Sequence, residues 1–426
     1  MNALTDLRPP APPAPLTPPA PLAPPSPPAP NAPPAPPGLA ASTRLAVRLA
    51  WRQLRSEKAR LASAIAGVMF ACMLVFMQLG FRAALFESAT TLISAMKADL
   101  FLMSPMTLAS FRPEPIPRAR VSQALAVEGV AAAAPVYLAQ SSFRNPDTGT
   151  RRTIQMIGFD VEAGVLDLPG LAAVRDALKQ PDTFAFDARS RPEFGPVTAM
   201  LAARGPFPVQ IGNRDLRVVG TVELGSSFGA DGNAVVSEVN FRRVISGRRA
   251  SLVDLGAIRL KPGADLLATQ AALRAIMPPD VGVMTQAELR AHERRYWEEA
   301  TPIGFIFSFG SLMGLIVGMV IVYQVLFSDI AGHLKEYATL KAMGYSNGHL
   351  SRVVLGAAAI LALLGFVPGT VISSILYGVV ADATFLPLNM TVERAAWVLL
   401  MIFGMCAAAG LLATRKLRDA NPADMF

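Results

Sequence analysis

LASAIAGVMFACMLVFMQLG, residues 61–80, holds no charged side chain in 20 positions. As a helix rising 1.5 Å per residue it reaches about 30 Å, the thickness of a bilayer's hydrocarbon core. Three more apolar runs of spanning length lie at about 303–327, 353–380 and 395–413. The composition agrees: 52% of the 426 residues are hydrophobic and only 16% are charged, against roughly 25% charged in soluble domains. Mean hydropathy is +0.40. The net charge of +8 is not read as a nucleic-acid footprint, because much of the Lys and Arg flanks the apolar runs, where it acts as an orientation signal. No nucleic-acid partner is expected.

On the N-terminal side of this run, residues 43–60 place Arg44, Arg48, Arg52 and Arg55 at steps of four, four and three, one face of a helix. Such a basic interfacial helix is expected to lie on anionic membrane lipid. Residues 1–42 are dominated by Pro and Ala. They are expected to form a disordered, polyproline-like cytoplasmic tail, and no role is assigned to them.

On the C-terminal side the composition turns soluble over 81–302. The segments 81–97 and 286–300 read as helical stalks leaving and re-entering the membrane. RRTIQMIGFD (151–160) and DLRVVGTVEL (215–224) alternate as strands do, and GADGN (229–233) carries turn chemistry. A stretch of about 200 residues is large enough for a core of its own. The expected fold is an α-helical membrane protein with four transmembrane helices and a large α/β periplasmic domain between helices 1 and 2. The spans are 61–80, 303–327, 353–380 and 395–413. A cytoplasmic loop covers 328–352, a short periplasmic loop 381–394 and a cytoplasmic C-terminus 414–426. Four spans put both termini on one side. The basic N-terminal flank, Lys335, Lys341, Arg352, Arg415, Lys416 and Arg418 share that side, which the positive-inside rule makes cytoplasmic.

Sequence signatures of catalysis are missing. There is no G-x-x-x-x-G-K-[ST] phosphate loop, no HExxH, no Gly-x-Ser-x-Gly and no Cys/His ligand spacing. His292, His333 and His349 are scattered and read as solvated surface residues. Cys72 and Cys406 fall inside apolar runs and read as small buried hydrophobes. The chain is therefore expected to be no enzyme, with no cofactor or metal of its own. Span 303–327 lacks the ionisable residues that mark ion pathways in coupled carriers. It does place Gly310, Gly314 and Gly318 four apart, a smooth face for close helix contact or a compositional accident. Pro368 is expected to bend the third span.

The loop GHLKEYATLKAMGYSNGHL, 332–350, is richer than a reversal requires. Lys335, Glu336 and Lys341 point in different directions on a helical wheel, with Tyr337, Leu340 and Met343 between them and Gly344 as a C-cap. A helix contacted on more than one face, or a solvated turn, fits that pattern.

Here the chain resembles a known family. KEYATLKAMGY (335–345) is similar to the cytoplasmic loop of the FtsX/MacB superfamily of ABC-transporter permeases. Lys335, Glu336, Lys341, Ala342, Met343 and Gly344 match its pattern in order. The likeness to DevC-type permeases extends through LAWRQLRSEKARL (49–61), FMQLGFRAALFESA (76–89), ADLFLMSP (98–105), YWEEATPIGFIFSFG (296–310), IVYQVLFSDI (321–330) and ANPADMF (420–426). The resemblance implies a permease homodimer in the bacterial inner membrane and a separate ABC ATPase dimer, which binds ATP and Mg and docks on the loop helix. It also implies an HlyD-like membrane-fusion protein leading to a TolC-type outer-membrane channel, with a glycolipid or other hydrophobic substrate. The expected function is that of a tripartite exporter permease working by mechanotransmission. Two alternatives stand beside it: an FtsX-like transmitter controlling a periplasmic hydrolase without transport, and a lipoprotein-release permease.

Overall fold

The computed structural model describes residues 58–227, 229–332, 339, 343 and 347–419. Helix α1 (Lys58–Ala95) runs 38 residues, so the apolar run and the stalk after Gly80 are one helix without a break. Neither Gly nor Pro interrupts 81–95, and Ala, Leu and Phe there favour continuation.

A folded domain follows. Its strands are β1 (Leu100–Met103), β2 (Ile116–Pro117), β3 (Val130–Arg144), β4 (Arg151–Phe159), β5 (Thr183–Asp187), β6 (Phe207–Ile211), β7 (Arg214–Val222), β8 (Asn233–Ser237), β9 (Leu252–Val253), β10 (Leu255–Leu260) and β11 (Gly282–Thr285). Helices α2 (Arg118–Ala124), α3 (Leu171–Leu178), α4 (Val197–Arg204), α5 (Glu238–Val244), α6 (Leu266–Ile276) and α7 (Gln286–Glu299) lie between and after them. Nine strands form one mixed sheet in the order β11-β1-β10-β3-β4-β8-β5-β7-β6. Side chains alternate across it, as the pleat requires. Leu100 and Leu102 join the core on one face, and Phe101 and Met103 the core on the other. The sheet is thus covered on both sides.

β3 is the common member of two sheet halves. Its first part pairs with β10 as far as Val136, and from Val136 onward it pairs with β4. A single pairing of Phe143 with Ile211 brings β6 back to β3, so six strands close on themselves. Inside the closure Phe143 packs on Phe186 and Phe194, with ring centroids 5.8 and 5.3 Å away.

Three further helices follow among the described residues: α8 (Pro302–Gly332), α9 (Asn347–Thr384) and α10 (Val392–Asp419). With α1 they make, among the described residues, four helices long and apolar enough to cross a membrane. Helices α8 and α9 flank the bundle, each packing on both α1 and α10. Val68, Cys72, Leu326, Leu361, Ile402 and Cys406 fill its core. Both cysteines are free and buried. Pro368 sits inside α9, and the helix continues through it.

Candidate functional site

The junction between bundle and domain is where a movement of one would reach the other. Helix α1 crosses it directly. The return path is α7, then Ala300 and Thr301, then α8. A capping box starts α7: the Thr285 hydroxyl accepts from the Glu288 N–H at 3.1 Å, and Glu288 accepts from the Thr285 N–H at 2.8 Å. Those bonds hold the Glu288 carboxyl below its usual range, the backbone bond from Thr285 most of all. At the other end Thr301 Oγ1 donates to the Trp297 carbonyl at 2.6 Å, and Pro302 opens α8, a position where its missing N–H costs nothing.

The two struts are clamped at both ends. Near the sheet, Gln286 Nε2 donates to the carbonyls of Ile93 and Met96 at 3.0 and 3.3 Å, satisfying carbonyls at the end of α1. Near the bundle, Arg82 Nη2 meets Glu298 Oε1 at 2.8 Å. Between the clamps Glu293 is buried. It accepts from the Ser110 N–H at 2.8 Å and from Trp297 Nε1 at 3.1 Å. Burial pushes its carboxyl above the usual range, the two hydrogen bonds offsetting only part of that effect. His292, expected as a solvated residue, is half-buried, with Nε2 2.9 Å from the Thr107 carbonyl. It helps Glu293 and the Phe111–Trp297 ring contact fasten the 104–113 loop to α7.

A second link joins the α9–α10 turn to the sheet. Buried Asp187 accepts from the N–H groups of Leu224 and Gly225 at 3.0 and 2.9 Å and from Asn233 Nδ2 at 2.8 Å. It thereby sets the loop after β7. From that loop Ser226 Oγ donates to the Phe385 carbonyl at 3.3 Å. Phe385 ends α9 with φ +59, the left-handed cap that glycine normally supplies. The α9–α10 turn therefore lies on the same side of the bundle as the domain.

Of the residues singled out by sequence, Gly310, Gly314 and Gly318 line the contact of α8 with α1. A Cβ on Gly310 would lie 2.6 Å from Gln78 Cδ, on Gly314 3.3 Å from Leu74 Cβ, and on Gly318 2.5 Å from both Ala71 Cβ and Met405 Sδ. Arg44, Arg48, Arg52, Arg55, Lys335, Glu336, Tyr337, Leu340, Lys341 and Gly344 lie outside the described residues, as do His333 and the side chain of His349. Met343 is exposed, and its N–H donates to the Thr339 carbonyl at 3.0 Å, a single helical turn. Sequence reading missed Arg82, Glu298, Gln286 and Glu293. The sequence places Arg82 just after an apolar run and Glu298 four residues before Pro302, but nothing in it pairs the two.

Among the described residues no group of three or more His, Cys, Asp or Glu side chains is placed to hold a metal ion. The family described as MacB-like periplasmic core domain matches residues 61–276, and that described as FtsX-like permease C-terminal matches residues 308–422. No curated protein matches the chain. The solved structures similar to the chain include two at low identity. One is the periplasmic region of MacB from Actinobacillus actinomycetemcomitans, 11% identical with TM-score 0.33, covering 47% of this chain and 94% of that one. The other is the extracellular domain of the noncanonic ABC-type transporter YknZ from Gram-positive bacteria, 14% identical with TM-score 0.32, covering 44% and 99%. With the first family spanning half of the chain and the second most of the remainder, the protein is a multi-pass membrane protein that belongs to the FtsX/MacB-like permease family, whose members work with ABC ATPase partners.

Proposed function

We propose that the protein is the inner-membrane permease subunit of a tripartite ABC exporter and acts by transmitting motion. A separate ATPase dimer binds ATP and Mg on the cytoplasmic side and moves the loop around Glu336. The spans relay that movement to the domain, which works on substrate delivered outside the membrane. An HlyD-like fusion protein and a TolC-type channel complete the path, and a permease homodimer forms its base. The chain itself supplies no catalytic group and holds no cofactor.

The observation that supports this reading is the pair of clamped struts. Helix α1 passes from bundle to sheet unbroken, and α7 is tied to it by Gln286 at one end and Glu298 at the other. Two helices fastened at both ends move together, so tilting α1 at its membrane end displaces the sheet instead of bending a linker. The test is purification of the full chain in mild detergent from its native host. An ATPase together with a fusion protein should co-purify. An ATPase with a hydrolase in place of the fusion protein would overturn the exporter reading, and so would a soluble lipoprotein carrier in that place.

A further inference from the structure

Where the bundle meets the domain, α1, α7 and the start of α10 enclose a cleft of about 630 Å³. Leu79, Trp397 and Met401 give it an apolar side. Trp397 is 56% exposed, and an indole placed so at the end of a span marks the level of lipid headgroups. Four arginines line the same cleft. Two are engaged: Arg82 by Glu298, and Arg394 by the Asn389 carbonyl at 2.6 Å.

Arg290 and Arg294 differ from these. They stand one helical turn apart on α7, and neither makes a hydrogen bond or an ion pair among the described residues. The Nε of Arg290 is buried without an acceptor. What faces the cleft is a pair of guanidinium groups with no acceptor from the described residues, and an anion entering the cleft would supply one. Two adjacent forks of N–H groups suit the oxygens of a phosphate. Glu87 and Glu393 also line the cleft and make no ion pair there among the described residues. Their charges disfavour a dianion, so a singly charged phosphodiester fits better than a phosphate monoester.

We propose that this cleft binds a phosphodiester lipid from the leaflet beside the domain, with its phosphate on Arg290 and Arg294 and its acyl chains along Leu79, Trp397 and Met401. The site goes beyond the transmission reading and does not depend on the ATPase.

The experiment exposes the purified full chain to equal amounts of phosphatidylglycerol and the uncharged glycolipid monogalactosyldiacylglycerol in mixed micelles, and counts bound lipid by native mass spectrometry. The wild type should retain the phosphodiester about tenfold over the glycolipid. R290Q/R294Q should lose that preference, while R217Q/R259Q, on distant surface arginines, should keep it. Millimolar inorganic phosphate should leave the bound lipid in place. Equal retention of both lipids by the wild type overturns the proposal without reference to any variant. An unchanged preference in R290Q/R294Q, or displacement by inorganic phosphate, overturns it as well.

Discussion

Arg82 and Glu298 meet across the two helices that join bundle to domain, Nη2 to Oε1 2.8 Å, although 216 positions separate them in sequence. Both side chains are about one-third exposed, so the pair contributes only about 0.2–1 kcal/mol to stability. On the proposed transmission reading, the pair matters more to coupling than to folding. Arg82→Glu should lower thermal stability slightly yet impair ATPase stimulation or export strongly. The swapped pair Arg82→Glu/Glu298→Arg should restore activity. A single variant with full export would show that the clamp is decorative.

The glycines of α8 separate a general packing effect from a specific one. Gly318→Ala should cost about 1–3 kcal/mol by overpacking against Ala71 and Met405. Gly314→Ala meets Leu74 only at 3.3 Å and should cost under about 1 kcal/mol, since alanine favours the helix. Gly314→Leu should behave like Gly318→Ala. Thermal melting in detergent checks the order, and equal losses at the two positions for alanine would contradict the geometry.

Glu293 predicts a pH dependence. Its carboxyl is raised by burial, so its contribution to stability is present below the ordinary carboxylate range and is lost as pH rises through the raised value. Glu288 is lowered and acts in the opposite sense. The difference between Glu293→Gln and wild type isolates the first group. Stability of the variant minus that of wild type should increase as pH rises above the ordinary carboxylate range. A flat difference would mean that Glu293 titrates normally.

Orientation is checked by cysteine labelling at two exposed positions. Asp147→Cys, in the β3–β4 turn, should react with a membrane-impermeant reagent from outside, and Met343→Cys only after permeabilisation. Labelling of Asp147→Cys only from the cytoplasm would invert the topology and remove the exporter reading.

Glu336→Lys tests the proposed docking of an ATPase on the 328–352 segment. Like charges brought together at a docking surface cost several kcal/mol, and an added positive charge still obeys the orientation rule. The variant should insert normally and lose the ATPase on purification. An Arg or Lys variant at Glu336 that retains the ATPase and normal export would leave the loop as a simple turn.

Much of the architecture is legible in sequence because burial in lipid demands long uncharged runs, and 61–80 has no other plausible fate. β7 declares itself through alternation, buried and less buried residues exchanging at each step from Asp215 on, whereas β4, read as alternating in sequence, is buried throughout its last six residues. β3 does not declare itself. VAAAAPVYLAQSSFR is rich in alanine and contains Pro135, so its local preference runs against a strand. Long-range pairing with β10 and β4 overrides that preference. The clamps were invisible for a related reason. Arg82 with Glu298, and Gln286 with the end of α1, are contacts between distant segments, and a single polar residue in each segment carries no period for sequence reading to detect.

An unbroken α1 fixes a bearing as well as a reach. One residue inserted between Arg82 and Ile93 would turn everything beyond it by about 100° and raise it about 1.5 Å, taking Arg82 and the carbonyl of Ile93 out of register with each other along α7. Seven inserted residues would bring the bearing back to within about 20°, but only with a matching lengthening of α7. The junction is thus quantised in helical turns, and its two struts are keyed to each other as a shaft is to its hub.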